Sequence, residues 1–194
     1  SDVKLENRAY HSINLYKDNL YILGGKKITD FKKTEYLHNT IEVLNTNTFN
    51  VKIDKTNPHQ AINFASFIYQ DNIIVMGGSI KVKKNGEKEF TDKIHQFNLQ
   101  TGYWYEIGKM PNPKEVSGIL LNNKFYTFGG FYNQALATIE SWDVTSGKWE
   151  IEGTLFEATE KPALTSNNGL IYIYDYGMMY IYDPSNKTLL KYLI

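Results

Sequence analysis

The chain of 194 residues contains no cysteine. Disulfide scaffolds, Cys-based zinc sites and thiol nucleophiles are excluded with it. The compartment is not fixed, because oxidising and reducing locations both tolerate a Cys-free chain. A charge excess is also missing: Lys+Arg and Asp+Glu each number 21, for a formal net charge of zero. That balance argues against nucleic acid as a partner, since such binding rests on neutralising phosphates. No apolar run approaches the roughly 18 residues that span a bilayer, so no membrane insertion is expected. The opening SDVKLENRAY has no signal-peptide apolar region. No window of about ten residues carries a helical period. GxSxG, Walker-type and GxGxxG patterns do not occur. The histidines His11, His38, His59 and His95 stand in no metal-ligand spacing. The residues therefore point to no catalytic group, no metal and no cofactor.

What the chain does have is aromatic residues, 14% in all with 15 Tyr, and glycine pairs. NLYILGGKK at 19–27, NIIVMGGSI at 72–80 and KFYTFGGFY at 124–132 each end an apolar run on Gly-Gly: Gly24 and Gly25, Gly77 and Gly78, Gly129 and Gly130. The second glycines, Gly25, Gly78 and Gly130, lie 53 and 52 residues apart, a repeat period. A second landmark follows each pair. FNLQTGYW (97–104) and WDVTSGKW (142–149) share an aromatic residue, then Asn or Asp, a Gly-containing turn, and Trp seven residues on. LNTNTFNV (44–51) and YDPSNKTL (182–189) fit more weakly, with Val51 and Leu189 in place of Trp104 and Trp149. Stepping 26 residues from Trp149 reaches Asp175, so a fourth repeat is present without its glycine pair. The sequon NKT (186–188) falls in a turn that already accounts for its Asn.

Each repeat reads as four strands; in the first these cover about 9–16, 19–25, 39–45 and 49–54. KDN, QDN, LNN and SNNG supply turns between strands one and two; NTNT, LQTG, TSG and PSNK do so between strands three and four. The second strand is apolar at nearly every position, as when both faces of a strand are covered. Four-stranded sheets repeating at this period read as β-propeller blades. The glycines then belong where strands crowd and the chain needs a positive φ.

Gly-Gly closing the second strand, followed by a spaced aromatic and Trp, resembles the kelch repeat. RAYHSINLYKDNLYILGG (8–25) is similar to its first half and IESWDVTSGKW (139–149) to its second. The resemblance covers about 8–189. It implies an all-β kelch-type propeller with four-stranded antiparallel blades at about 8–54, 60–107, 114–152 and 161–194. Residues 1–7 read as the tail of a preceding blade. Four visible blades imply part of a larger ring, with the remaining blades, or self-association, covering the outer two. Trp104 and Trp149 match the family's inter-blade packing position. The family's radical-copper oxidases need a Cys, so that chemistry is excluded here. The resemblance implies a non-catalytic interaction module with a protein or carbohydrate partner; the alternative is part of a sugar-processing enzyme, epimerase or mutarotase-like.

The connections after the glycine pairs vary most. Residues 26–38 carry four Lys against two acids, and 79–93 five Lys against three. Residues 131–138, FYNQALAT, are uncharged. One propeller face is thus expected to combine basic rim residues Lys32, Lys33, Lys83 and Lys84 with the aromatic anchors Phe131 and Tyr132. Arg8 and His11, on an inner strand, are further binding candidates. Loops are the better place to look for function than the blade frame.

Overall fold

A computed structural model describes residues 3–27, 37–82 and 85–193. The chain divides into two units, Ser1–Pro113 and Lys114–Ile194. In the first unit β1 (Arg8–Tyr16), β2 (Asn19–Lys27), β3 (Ile41–Asn45) and β4 (Val51–Asp54) form one antiparallel sheet in chain order. The second sheet begins with β5 (Ala65–Tyr69) and β6 (Asn72–Met76). A separate hairpin, β7 (Ser79–Val82) and β8 (Lys88–Phe90), intervenes before β9 (Lys93–Asn98) and β10 (Trp104–Lys109) complete it. The second unit repeats the pattern with β11 (Gly118–Leu121), β12 (Lys124–Phe128), β13 (Leu136–Asp143) and β14 (Trp149–Thr159). Its other sheet is β15 (Ala163–Asn167), β16 (Leu170–Asp175), β17 (Met178–Asp183) and β18 (Thr188–Leu193). These four sheets are the antiparallel blades of a β-propeller.

The recurring Asn or Asp has a local cause. Asn45, Asn98 and Asp143 each turn Oδ1 back to accept two backbone N–H groups of the following turn, and Asp183 accepts one from Ser185. An Asx turn of this kind closes the third strand onto the fourth in every sheet.

The core of each unit lies between its two sheets. In the first, Tyr21, Leu23 and Ile41 meet Ile73, Val75 and Phe97. In the second, Tyr126, Phe128 and Ile139 meet Ile171, Ile173, Tyr180 and Tyr182. Ile73, Ile74, Val75 and Met76 are all at most 1% exposed, which is why the second strand shows no polar alternation. On faces turned away from these cores, Ile13, Leu15 and Ile53 of the first sheet and Tyr174, Leu190 and Tyr192 of the fourth stay about half exposed.

Gly24, Gly25, Gly78, Gly129 and Gly130 sit where a side chain has no room. At Gly24, φ is +67° and a Cβ would fall 2.2 Å from the Phe64 ring. At Gly129, φ is +62° and a Cβ would fall 2.3 Å from the Thr159 carbonyl oxygen.

Two expectations about the connections need correction, and a third, the missing glycine pair of the fourth repeat, holds. Residues 79–93, read as a loop, hold the β7–β8 hairpin, whose short strands alternate too briefly to stand out. The uncharged stretch 131–138 is shorter as a loop, because β13 already begins at Leu136. The fourth repeat replaces its glycine pair with a two-residue turn, Tyr176-Gly177, both at positive φ, joining β16 directly to β17.

Candidate interaction surface

The connections between second and third strands hold most of the sequence candidates. Lys32, Lys33, Lys83 and Lys84 lie outside the described residues. At the base of the first connection Lys26 pairs with Leu37, and the His38 N–H donates to the Gly25 carbonyl at 2.9 Å. His38 is 2% exposed, and its Nε2 donates to the Asn7 carbonyl at 3.4 Å. Burial first, and the Arg8 charge second, lower its pKa.

The second connection is the hairpin. Its root is pinned by reciprocal bonds between Ser79 and Ile62 and by the Thr91 N–H donating to the Gly78 carbonyl at 3.0 Å. Lys81 and Glu89 face each other at 3.6 Å, well exposed. Its described residues carry Lys81, Lys88 and Lys93 against Glu87, Glu89 and Asp92, a balanced set. The basic excess of 79–93 therefore rests on Lys83 and Lys84.

The third connection is a tight loop. Phe131 bridges both Glu115 and Ala135, and the Tyr132 N–H donates to the Gln134 carbonyl at 3.0 Å. Phe131 is half-buried and Tyr132 is 47% exposed. The fourth connection presents Tyr176, which at 89% exposure is among the most open aromatic side chains described. The sequence reading missed it; the signal was an aromatic residue before Gly in a turn between two apolar runs.

Arg8 sits differently from its expected place in a binding surface. It is 8% exposed. Its guanidinium pairs with Glu42 at 2.7 Å and donates to the Gly24 carbonyl at 3.0 Å. Those partners commit it to the blade. In the second unit Lys114 forms the corresponding buried pair with Glu140. His11 has an exposed side chain and stands opposite Gly24 in the β1–β2 ladder.

The tryptophans differ from each other. Trp104 packs on the first unit's core with its ring 4.9 Å from Phe97. Trp149 is half-buried and stacks on Trp142 of its own sheet at 6.3 Å, while Trp142 is 3% exposed. Further out on β14, Glu152 is buried: burial works to raise its pKa, but hydrogen bonds from Ser141, Lys187 and Tyr182 outweigh that and lower it. Among the described residues, no group of three or more His, Asp or Glu side chains is placed to hold a metal ion.

Comparison with known proteins agrees with this geometry. The Kelch motif family matches residues 115–155, the third sheet. Kelch-like protein 40a of Danio rerio is 27% identical over 117 residues, covering 57% of this chain and 19% of the relative. Beta-scruin of Limulus polyphemus is 24% identical over 162 residues, covering 78% of this chain and 17% of the relative. The chain thus spans about a fifth of the length of these curated relatives. Among solved structures, that of YjhT aligns with a TM-score of 0.76 at 14% identity, over 98% of this chain and 68% of the other. At that identity the likeness shows the fold alone, a β-propeller.

Proposed function

We propose that this chain, which belongs to the kelch-repeat family, is a non-catalytic interaction module that binds a protein partner through the connections between second and third strands. Each unit contributes its own connections. One observation carries the reading: the frame repeats in detail, down to the Asx turns, whereas the connections differ in kind. One is a charged hairpin, another a seven-residue loop with Tyr132 outward, another a bare turn with Tyr176 outward. Exposed Tyr side chains make good interface anchors, because they offer large contact area and a polar tip at low entropic cost. The lysines act as rim charges, each worth little alone. A glycan partner is the second candidate, since aromatic rings beside the amides of Asn133 and Gln134 suit sugar rings equally well. The sugar-processing reading gains nothing from Arg8, which is held by Glu42.

The test is quantitative capture of partners by the full-length protein, run beside a glycan array. Tyr132→Ala and Tyr176→Ala are each expected to weaken binding about tenfold while leaving the protein folded, since the side chains are 47% and 89% exposed. Unchanged binding by both folded variants would move the surface elsewhere.

The exposed apolar faces of the first and fourth sheets also call for cover, by further blades or by a second copy. Residues 1–194 expressed alone are expected to self-associate in light scattering; a monodisperse monomer would contradict this.

A further inference from the structure

Two sheets carry a buried cation–carboxylate pair where a third carries two histidines. Glu42, His95 and Glu140 occupy the same register position, each two residues before the residue that pairs with Val51, Trp104 or Trp149. Glu42 holds Arg8, and Glu140 holds Lys114. At the equivalent place in the second sheet, His59 Nδ1 lies 2.9 Å from His95 Nδ1. His59 Nε2 lies 2.8 Å from the Gly77 carbonyl oxygen, as Arg8 lies 3.0 Å from that of Gly24. The two histidines are 3% and 7% exposed.

The protons follow from these contacts. The Gly77 carbonyl only accepts, so His59 Nε2 carries a hydrogen and His59 Nδ1 is a lone pair. His95 Nδ1 must then donate to it. His95 Nε2 is left bare, 3.8 Å from Glu106 Oε2. Gly77 is also part of the hairpin root, since its N–H donates to the Lys93 carbonyl at 3.2 Å.

We propose that the His59–His95 pair is a proton-operated clamp on the root of the β7–β8 hairpin. This deepens the binding reading, on which it rests for its functional meaning, because the hairpin is one of the proposed connections. The first proton goes to His95 Nε2, facing Glu106, and both existing hydrogen bonds survive. A second proton leaves an N–H on each Nδ1, so hydrogen points at hydrogen. The pair then parts and the hold on Gly77 loosens. The charged groups facing the pair are Glu106, which favours the first proton, and Lys93, which opposes it and itself pairs with Glu106 at 2.8 Å. Asp92 and Lys109 act on these two from behind. Phe64 and Trp104, which flank the rings, bring no charge. Burial is the main cause lowering both histidines, with His59 pushed down to about 4. A base depressed in the fold gives stability that is full above its unfolded value of about 6.5 and is lost as pH falls towards about 4.

The experiment is side-chain and backbone 15N NMR of the protein from pH 7.5 to 4, which needs no partner, so its failure leaves the binding reading standing. The expected result is a neutral His59 protonated on Nε2 and a neutral His95 protonated on Nδ1. The amides of Gly77, Gly78, Thr91 and Lys93 should then shift with the lower titration. Glu106→Gln, at an exposed site, should lower the pH at which His95 takes its proton. His59→Gln should abolish the low-pH shift of the root amides. Opposite tautomers, root amides that ignore the low-pH titration, or an unmoved His95 titration in Glu106→Gln would each overturn the clamp, even if His59→Gln failed to fold.

Discussion

Gly129→Val is expected to lower the melting temperature by about 6–12 °C or to prevent folding. The residue has φ +62°, and its Cβ would sit 2.3 Å from the Thr159 carbonyl oxygen and 2.8 Å from that of Leu136. Both obstacles are backbone atoms that no rotamer change can move aside. Overpacking costs about 1–3 kcal/mol, and holding a β-branched residue at positive φ costs a further ~1–3 kcal/mol. At about 2–4 °C per kcal/mol for a chain of this size, about 3 kcal/mol accounts for the shift. Gly102→Ala separates the two causes: φ there is +74°, but nothing lies within 4 Å of the added Cβ. It should cost about 1 kcal/mol, from backbone strain alone. Equal losses at both sites, read by thermal melts, would remove the close-packing explanation for the glycine pairs.

The second large effect concerns Arg8. Arg8→Ala leaves the Glu42 carboxylate buried, with side-chain exposure of 2%, and without its cation. Removing one partner of such a pair costs about 3–5 kcal/mol. Replacing both, as in Arg8→Met with Glu42→Met, should recover most of that loss, because a buried pair adds little over apolar packing of similar volume. Denaturant titrations of the single and double variants check this. A single variant as stable as the parent would release Arg8 from its structural role and return it to the binding candidates.

The blade frame was legible because its causes are local. Asn45, Asn98 and Asp143 close turns two or three residues ahead, and each stands six residues before Val51, Trp104 or Trp149. The apolar second strands were legible because coverage on both faces erases alternation. The polar pairs were not, because Arg8 meets Glu42 across 34 residues and His59 meets His95 across 36, and no local period marks such partners. A repeat-aligned comparison of Ile41-Glu42, Ile94-His95 and Ile139-Glu140 would have exposed the position. The β7–β8 hairpin was hidden by its lysines and glutamates, which read as a solvated loop, although Lys81 and Glu89 face each other across its strands. Phe131 was placed outward on composition; it is half-buried, its backbone bridged to Glu115 and Ala135.

The central claim is that the variable connections bind while the repeated frame supports them, and site-specific photocrosslinking tests it most directly. A photoreactive phenylalanine would be placed in the full-length protein at Tyr132, Tyr176 or Phe90 in the connections, and at Tyr105 on β10 as a control 50% exposed. The account predicts that the captured partner crosslinks from the connections and not from Tyr105. A partner that crosslinks from Tyr105 while the connections stay silent would contradict it.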